Sequence, residues 1–427
     1  MIRRFFVWLH RWTGLVMAGF LILVGLTGSM LALWSPLERL VCPQLYATPR
    51  PGVPQLDLAA LAERAGALVP QCQVAGVQFF GTDQVWVSFE PHHVDPAIDH
   101  PCKLSFDQLL LDPWTGAELG RRKFGDISQG LINLMPFIYQ LHCNLKLSMT
   151  GYWILGCVAL LWTVDCFVGF YLTLPVALDR FWQRWRPSWQ IKRRSSFFSF
   201  NFLLHRASGL WLWAMLFIFA WSSVNLNLSP VYNWVTGALF DYTWGGNQTT
   251  EMPRHAGNQP PKLDWRAAQE AGARLMAEEA AIHGFTVERK ESLSYSPAEN
   301  AYYYDARTSR DLSDLNATAL VLDGDTGAFR SLRLPTGEHS GNTISTWLYA
   351  LHTADVFGLP YRIFVCALGL AIAMLSVTGV YIWWKKRKGR ILAASRRGHA
   401  KKAGSGNSRL EPGRYCDSPP IPLKAGD

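Results

Sequence analysis

The sequence predicts a membrane protein with an all-α, four-helix transmembrane core, built as an internal duplication (a parallel repeat), and an α+β domain outside the membrane in each half. Three observations carry this. Of 427 residues, 49% are hydrophobic and only 17% charged, with 19 Trp, a balance typical of membrane chains. Four apolar runs, at about 7–34, 150–174, 200–228 and 361–384, are each long enough to cross ~30 Å of hydrocarbon. Finally, the chain repeats itself. LHRWTGL at His10 returns as LHRASGL at His205, and YQLHCNL at His142 returns as YALHTAD at His352. Gly169 and Gly379 each follow the second histidine of their half by 27 residues, and each opens a Gly-x-Tyr. Such self-similarity marks a repeated architectural unit.

The elements follow in order. Residues 1–36 hold the first membrane helix. Arg3 and Arg4 precede it as in a signal peptide, but the apolar run is too long for an h-region and lacks a small-x-small site before Pro36, so it reads as an anchor. Residues 37–135 form the first outer domain, with an amphipathic helix at 57–69, an alternating strand QVWVSF at 84–89, and LLLDPWTGAELG at 109–120. An interfacial segment and the second span occupy 136–178, a basic loop 179–199, and the third span 200–228. The second outer domain, 229–345, repeats the first: a helix at 264–282 with Trp265, Ala268, Ala271 and Leu275 on one face, a strand at 302–306, and LVLDGDTGAFRS at 320–331. In the shared Asp-x-x-Thr-Gly, Asp112 and Asp323 cap backbone N–H groups and the glycine takes positive φ, which makes a hairpin turn. A catalytic aspartate is the rival reading. An interfacial segment and the fourth span fill 346–386. The tail, 387–427, is basic, then rich in Gly, Ser and Pro, and reads as disordered.

Charge orients the chain. Arg180, Arg184, Arg186, Lys192, Arg193 and Arg194 crowd the middle loop, and twelve basic residues follow from Lys385, whereas the long loops 35–141 and 229–351 are slightly acidic. The positive-inside rule puts both termini and the middle loop in the cytoplasm. The net charge of +9 therefore reports topology and contact with anionic membrane lipids rather than nucleic-acid binding. Eight cysteines without CxxC or CxxCH spacing give no support to covalent c-type haem or a zinc ribbon. Cys72 and Cys102, in the oxidising outer loop, are candidates for a disulfide.

The histidines carry the chemistry. Both halves run the same way through the membrane, so equivalent positions face each other across an axis along the membrane normal. This pairs His10 with His205 near the cytoplasm and His142 with His352 near the outside. Pairing within a half would join groups most of a bilayer apart. Two facing imidazoles between apolar helices suit bis-histidine ligation of a haem b, and two such pairs predict two haems. Arg11 and Arg206 stand where haem propionates meet the interface. Gly14 and Gly209 leave room for a macrocycle. The alternative is four boundary histidines with snorkelling arginines. Two-histidine sets are poor for zinc, though Asp355 beside His352 keeps an outer metal site open. His92, His93 and His100 make a weaker metal patch. Asp165 is an acid deep in an apolar run; it is a candidate for a proton or quinol role, with a structural hydrogen bond to Trp, Ser or Thr as the other reading. No GxGxxG opens a helix, so a nicotinamide or flavin site is not evident.

These motifs (HRxxGL at His10 and His205, the turns at Asp112 and Asp323, Leu-His at His142 and His352) resemble the PepSY-domain transmembrane family, which includes siderophore-iron reductases of the ferrioxamine type. The resemblance covers about 1–388. It implies a multi-pass protein of a bacterial inner membrane, two periplasmic PepSY-like domains, b-type haem, and electrons passed outward to a ferric siderophore from a separate cytoplasmic or quinol donor. It leaves room for a homo-oligomer. Trp114, Tyr242, Trp244 and the 302–304 tyrosines are exposed-aromatic candidates for ligand contact. The rival function is non-enzymatic: isolated PepSY domains are associated with binding and restraining peptidases, which makes a periplasmic interaction, assembly or peptidase-regulating protein the alternative.

Overall fold

The computed structural model describes residues 1–90, 104–192, 195–243, 261–313 and 317–405. The chain opens with α1 (Ile2–Leu31), then α2 (Trp34–Val41) and α3 (Leu58–Leu68). A four-stranded meander follows: β1 (Gln73–Phe80), β2 (Gln84–Glu90), β3 (Gln108–Leu111) and β4 (Glu118–Arg122). The chain returns through α4 (Leu134–Asn144) and α5 (Ser148–Thr173), then a short α6 (Phe181–Trp185). Its second part repeats the order: α7 (Phe197–Trp211), α8 (Trp213–Asn227), α9 (Ser229–Leu239), α10 (Trp265–His283), β5 (Val287–Ser296), β6 (Ala301–Thr308), β7 (Thr318–Asp323), β8 (Phe329–Arg333), α11 (Ser340–Thr353) and α12 (Gly358–Ser405).

Three helices, α1, α5 and the first 36 residues of α12, are long and apolar enough to cross a membrane, and the chain is a membrane protein with α and β parts. The run at 200–228, expected as a straight span, is instead a pair of helices, α7 and α8, bent by 70°; counted as one span, the pair makes a fourth. The break has a local cause. Ser208 Oγ donates back to Leu204 O at 2.6 Å, next to Gly209, and a Ser-Gly pair of this kind weakens the helical ladder. The bend lets α7 lie along α12 while α8 lies along α5. The closest crossing is α1 on α12. A Cβ on Gly25 would meet Gly369 O at 2.6 Å, and Ser29 Oγ donates to Cys366 O at 2.8 Å, the small-residue packing that apolar helices use in lipid. At the start of α1, Arg3 donates to Leu172 O and Leu174 O, satisfying carbonyls that the end of α5 leaves free. Beyond the span α12 continues through the basic run to Ser405, where the sequence had suggested disorder from 387. Ala, Lys and Arg propagate an existing helix without a new nucleation cost.

The two outer segments share one antiparallel sheet, ordered β4-β3-β2-β1-β5-β6-β7-β8. The halves join where Gly76, Val77 and Gln78 pair with Ser294, Leu293 and Ser292. A Cβ on Gly76 would lie 2.9 Å from Ser294 Cβ, so glycine lets these strands meet. Each would otherwise be an open edge. Helices α3 and α10 cover one face, burying Leu58, Leu61, Val77, Leu293, Tyr302 and Leu320. Asp57 and Asp264 cap these helices, accepting from Ala60 N and Ala267 N. Both expected hairpin turns form. Asp112 accepts from Trp114 N and Thr115 N before Gly116 at φ +64, and Asp323 accepts from Asp325 N and Thr326 N before Gly327 at φ +67. Tyr302 and Tyr304, expected to be exposed, are each 2% accessible because alternate strand residues face α10. Trp114 is partly buried and donates to Val53 O, and Tyr242 donates to Asn233. Cys72 is disulfide-bonded. Cys102, Trp244 and the His92, His93 and His100 patch lie outside the described residues.

The other face of the first half closes over a buried ion pair. Arg122 donates to Glu38 Oε1 at 2.7 Å, and Tyr46 and Trp34 donate to Glu38 Oε2 at 2.7 and 3.2 Å. Arg122 is 0% and Glu38 2% exposed. Removing one partner strands the other charge, so Arg122→Met should destabilise the protein by about 3–5 kcal/mol. Thermal unfolding in detergent measures this. Adding Glu38→Leu to the same chain should restore most of the loss, and a double variant no more stable than the single one would show that the charges are not coupled.

Candidate functional site

The helices bring the four histidines together in two pairs. His10 on α1 faces His205 on α7, ring centres 6.1 Å apart and planes at 58°. His142 on α4 faces His352 on α11 at 6.2 Å and 61°. The pairs lie at opposite ends of α1: His10 is near its start, and Thr27, which holds His142, stands 17 residues on, ~25 Å of helical rise.

In each ring Nδ1 is the nitrogen tied to the helices. His10 Nδ1 lies 3.0 Å from both carboxylate oxygens of Asp165. His205 Nδ1 lies 3.0 Å from Leu375 O and 3.1 Å from Thr378 Oγ1. Thr27 Oγ1 holds His142 Nδ1 at 3.0 Å and Ser222 Oγ holds His352 Nδ1 at 2.8 Å. The partners fix the tautomer. A carbonyl and a carboxylate accept, and Thr27 and Ser222 already donate their hydroxyl protons to Leu23 O and Phe219 O. All four Nδ1 groups therefore donate, leaving a lone pair on each Nε2. For His142 and His352, on helices outside the candidate spans, burial pushes the imidazole down to about 4 and about 3 respectively, so both are neutral and ligand-competent.

Glycines make room for the rings. A Cβ on Gly169 would lie 3.6 Å from His10 Cε1, one on Gly379 3.3 Å from His205 Cε1, and one on Gly28 3.0 Å from His142 Cε1. The repeated Gly-x-Tyr is thus a histidine seat. The Phe219 ring stacks on His352 at 5.0 Å.

A cavity of about 470 Å³ surrounds the inner pair, lined by His10, His205, Gly14, Gly209, Asp165 and Trp213, among others. A Cβ on Gly14 would meet nothing within 4 Å, and one on Gly209 only Leu375 Cδ2 at 3.8 Å. Both glycines border open space. Arg11 and Arg206 are on the lining as well. Arg206 gives one nitrogen to Pro187 O, while its buried Nε has no hydrogen-bond partner among the described residues. Such an atom is costly without an acceptor.

The inner pair, with its cavity and cations, fits a bis-histidine haem, and the outer pair fits one by its ring spacing and neutral imidazoles. A metal sits ~2.0–2.1 Å from an imidazole nitrogen, and adding ring radii puts two coordinated ring centres about 6.4 Å apart, close to both observed separations. The cavity falls within the ~300–1,000 Å³ of cofactor sites. Among the described residues no cluster of three or more His, Cys, Asp or Glu could hold a metal ion, and Asp355 lies against Arg362 at 3.4 Å.

The supports of the histidines were missed in the sequence, although a signal was present. Thr27 and Ser222 each stand 17 residues after the first histidine of their half, and Asp165 and Leu375 each 23 after the second. Arg3 and Lys386, also on the cavity lining, were missed as well.

A search of curated proteins finds no match. A family model described as the PepSY-associated TM region matches residues 7–386, which takes in both histidine pairs, the sheet and most of every candidate span. The chain belongs to the PepSY-associated transmembrane family.

Proposed function

We propose that this protein carries two b-type haems, one between His10 and His205 and one between His142 and His352, and passes electrons across a bacterial inner membrane. The observation that carries the reading is the spacing: two imidazole pairs, each close to the separation that one shared metal requires, set against opposite ends of α1. Haem b held by two imidazoles supplies reversible one-electron exchange with no open coordination position.

The chain's own groups do the rest. Asp165, Leu375, Thr27 and Ser222 orient the rings, and such outer hydrogen bonds fix tautomer and raise ligand basicity. Arg11, Arg206 and Lys386 on the cavity lining supply cations for propionates. Apolar neighbours such as Met17, Leu21, Phe219 and Leu368 exclude water between the sites. Charge asymmetry favours cytoplasmic termini and a periplasmic sheet. In this reading the structure is an internal duplication with a four-helix core, the bent pair counting as one span. The acceptor is a ferric siderophore or a similar ferric chelate, following the likeness to siderophore-iron reductases. Ferric iron takes one electron there and is released more readily as ferrous iron. The electron donor is a quinol or a cytoplasmic reductant.

Protein purified from haem-replete cells should be red, with a Soret band and sharp α and β bands on dithionite reduction. A colourless preparation refutes the reading and favours a non-enzymatic role for the outer sheet. His10→Ala should remove about half the haem and His142→Ala the other half. If either variant keeps a full complement, the pairing is wrong. In membranes reduced beforehand, adding a ferric hydroxamate and a ferrous-specific chelator should develop the ferrous complex, and His142→Ala membranes, which lack the outer haem, should not.

Gly14 gives an independent test of the cavity. Gly14→Phe places a ring in open space, so the protein should fold and span normally yet lose the inner haem. Full retention of both haems would place the cofactor elsewhere.

A further inference from the structure

The two halves treat their inner histidines differently. Three of the four imidazoles lean on neutral acceptors: His142 on Thr27, His352 on Ser222, and His205 on the Leu375 carbonyl and Thr378. His10 alone leans on a carboxylate, with both Asp165 oxygens 3.0 Å from its Nδ1. Asp165 occupies the position at which the other half has Leu375, so the repeat is broken at a histidine support. The acid is 9% exposed, and among the described residues its one ion-pair partner is His10. Thr13 Oγ1, one turn after His10, lies 2.9 Å from Leu9 O and 3.0 Å from Asp165 Oδ1, and its proton goes to the carboxylate as the stronger acceptor. The carboxylate is thereby aimed at the ring.

An N–H that donates to a carboxylate makes its imidazole a stronger electron donor than one that donates to a hydroxyl or carbonyl. A more basic axial ligand stabilises ferric over ferrous iron, and second-shell hydrogen bonding is one of the levers that set haem potential. Low local dielectric strengthens the effect. We propose that Asp165 is a positioning residue that holds the reduction potential of the His10–His205 site below that of the His142–His352 site. An electron shared between the two then rests preferentially at the outer one. The bias gives outward transfer a direction that the near-equal ring spacing of the two pairs does not supply. The proposal rests on the haem reading above and assigns Asp165 a role distinct from a proton or quinol site.

The test is a potentiometric titration of the full-length protein in detergent, followed in the α band. His142→Ala, retaining the inner haem alone, identifies the inner midpoint. In the wild type this midpoint should be the lower. Asp165→Asn keeps the shape but removes the carboxylate. At fixed ambient potential it should raise the reduced-to-oxidised ratio of the inner site at least about tenfold, a shift of about 59 mV, and leave the outer midpoint in place. Thr13→Val frees the carboxylate from a competing donor and should move the inner midpoint the opposite way, by less. Opposite signs from neighbouring substitutions are not what loosened packing produces. If Asp165→Asn loses the inner haem, Thr13→Val decides alone. A wild-type inner midpoint above the outer one, an Asp165→Asn midpoint that stays or falls, or a Thr13→Val midpoint that stays or rises overturns the proposal. A wild type without haem overturns the proposed function instead, so the two failures are separable.

Discussion

The arrangement depends on one constraint: an imidazole between apolar helices must have its N–H satisfied without giving up the ring's other nitrogen. Each of the four histidines meets it through Nδ1, and the acceptors come from a helix other than its own. The bonds therefore tie α1 to α5, α7 to α12, α4 to α1 and α11 to α8. A buried polar group left unpaired costs more than its hydrogen bond contributes, so the helices register on the histidines as much as the histidines on the helices. Gly379 and Gly28 belong to the same requirement, since a Cβ at either would crowd a ring held at fixed distance, while one at Gly169 would just reach contact with His10.

The sheet turns this local rule into a global one. The inner pair sits on helices in direct contact with the spans, but the outer pair sits on α4 and α11, each of which follows the last strand of its half. Were the halves separate outside the membrane, the 6.2 Å between His142 and His352 would rest on helix packing alone. The β1–β5 joint, the Ala59 N to Gln269 bond and the Arg266–Glu63 pair fasten the halves on the far side. The buried Arg122–Glu38 pair locks α2, which leaves α1, against the end of β4. Interior ion pairs are weak sources of stability but demand one geometry, which suits a joint between a sheet and a helix bundle.

Much of this was legible in the sequence because motifs that recur along the chain convert position into partnership. Which histidine faces which followed from helix direction and equivalence, and the Asp-x-x-Thr-Gly turns followed from the chemistry of Asp and Gly alone. What escaped depends on neighbours distant in the chain. The sheet joint is a choice of edge partner, which alternation along β1 or β5 does not specify. The burial of Tyr302 and Tyr304 is set by where α10 lies. The bend after Trp211 was hidden inside an apolar run, since hydropathy measures transfer into lipid and is blind to a Ser-Gly pair. Asp165 was visible as an anomaly, and the expected structural hydrogen bond from Trp, Ser or Thr is present from Thr13, but its histidine partner is 155 residues away and was not foreseen.

The departures from the repeat are the informative positions. Where the two halves agree, as at Thr27 and Ser222, the residue meets a demand that both sites share, namely holding a ring. The axis that relates the two halves runs along the membrane normal, so the repeat does not equate the inner end with the outer one, yet the ring separations of 6.1 and 6.2 Å barely distinguish them. Function with a direction needs asymmetry, and it can enter at few places without disturbing the rings. A support position is one of them, since Asp and a backbone carbonyl both accept from Nδ1 while differing in charge. Family membership fixes the architecture that carries such sites, but not their setting. The setting resides in individual residues such as Asp165, where this chain departs from its own pattern.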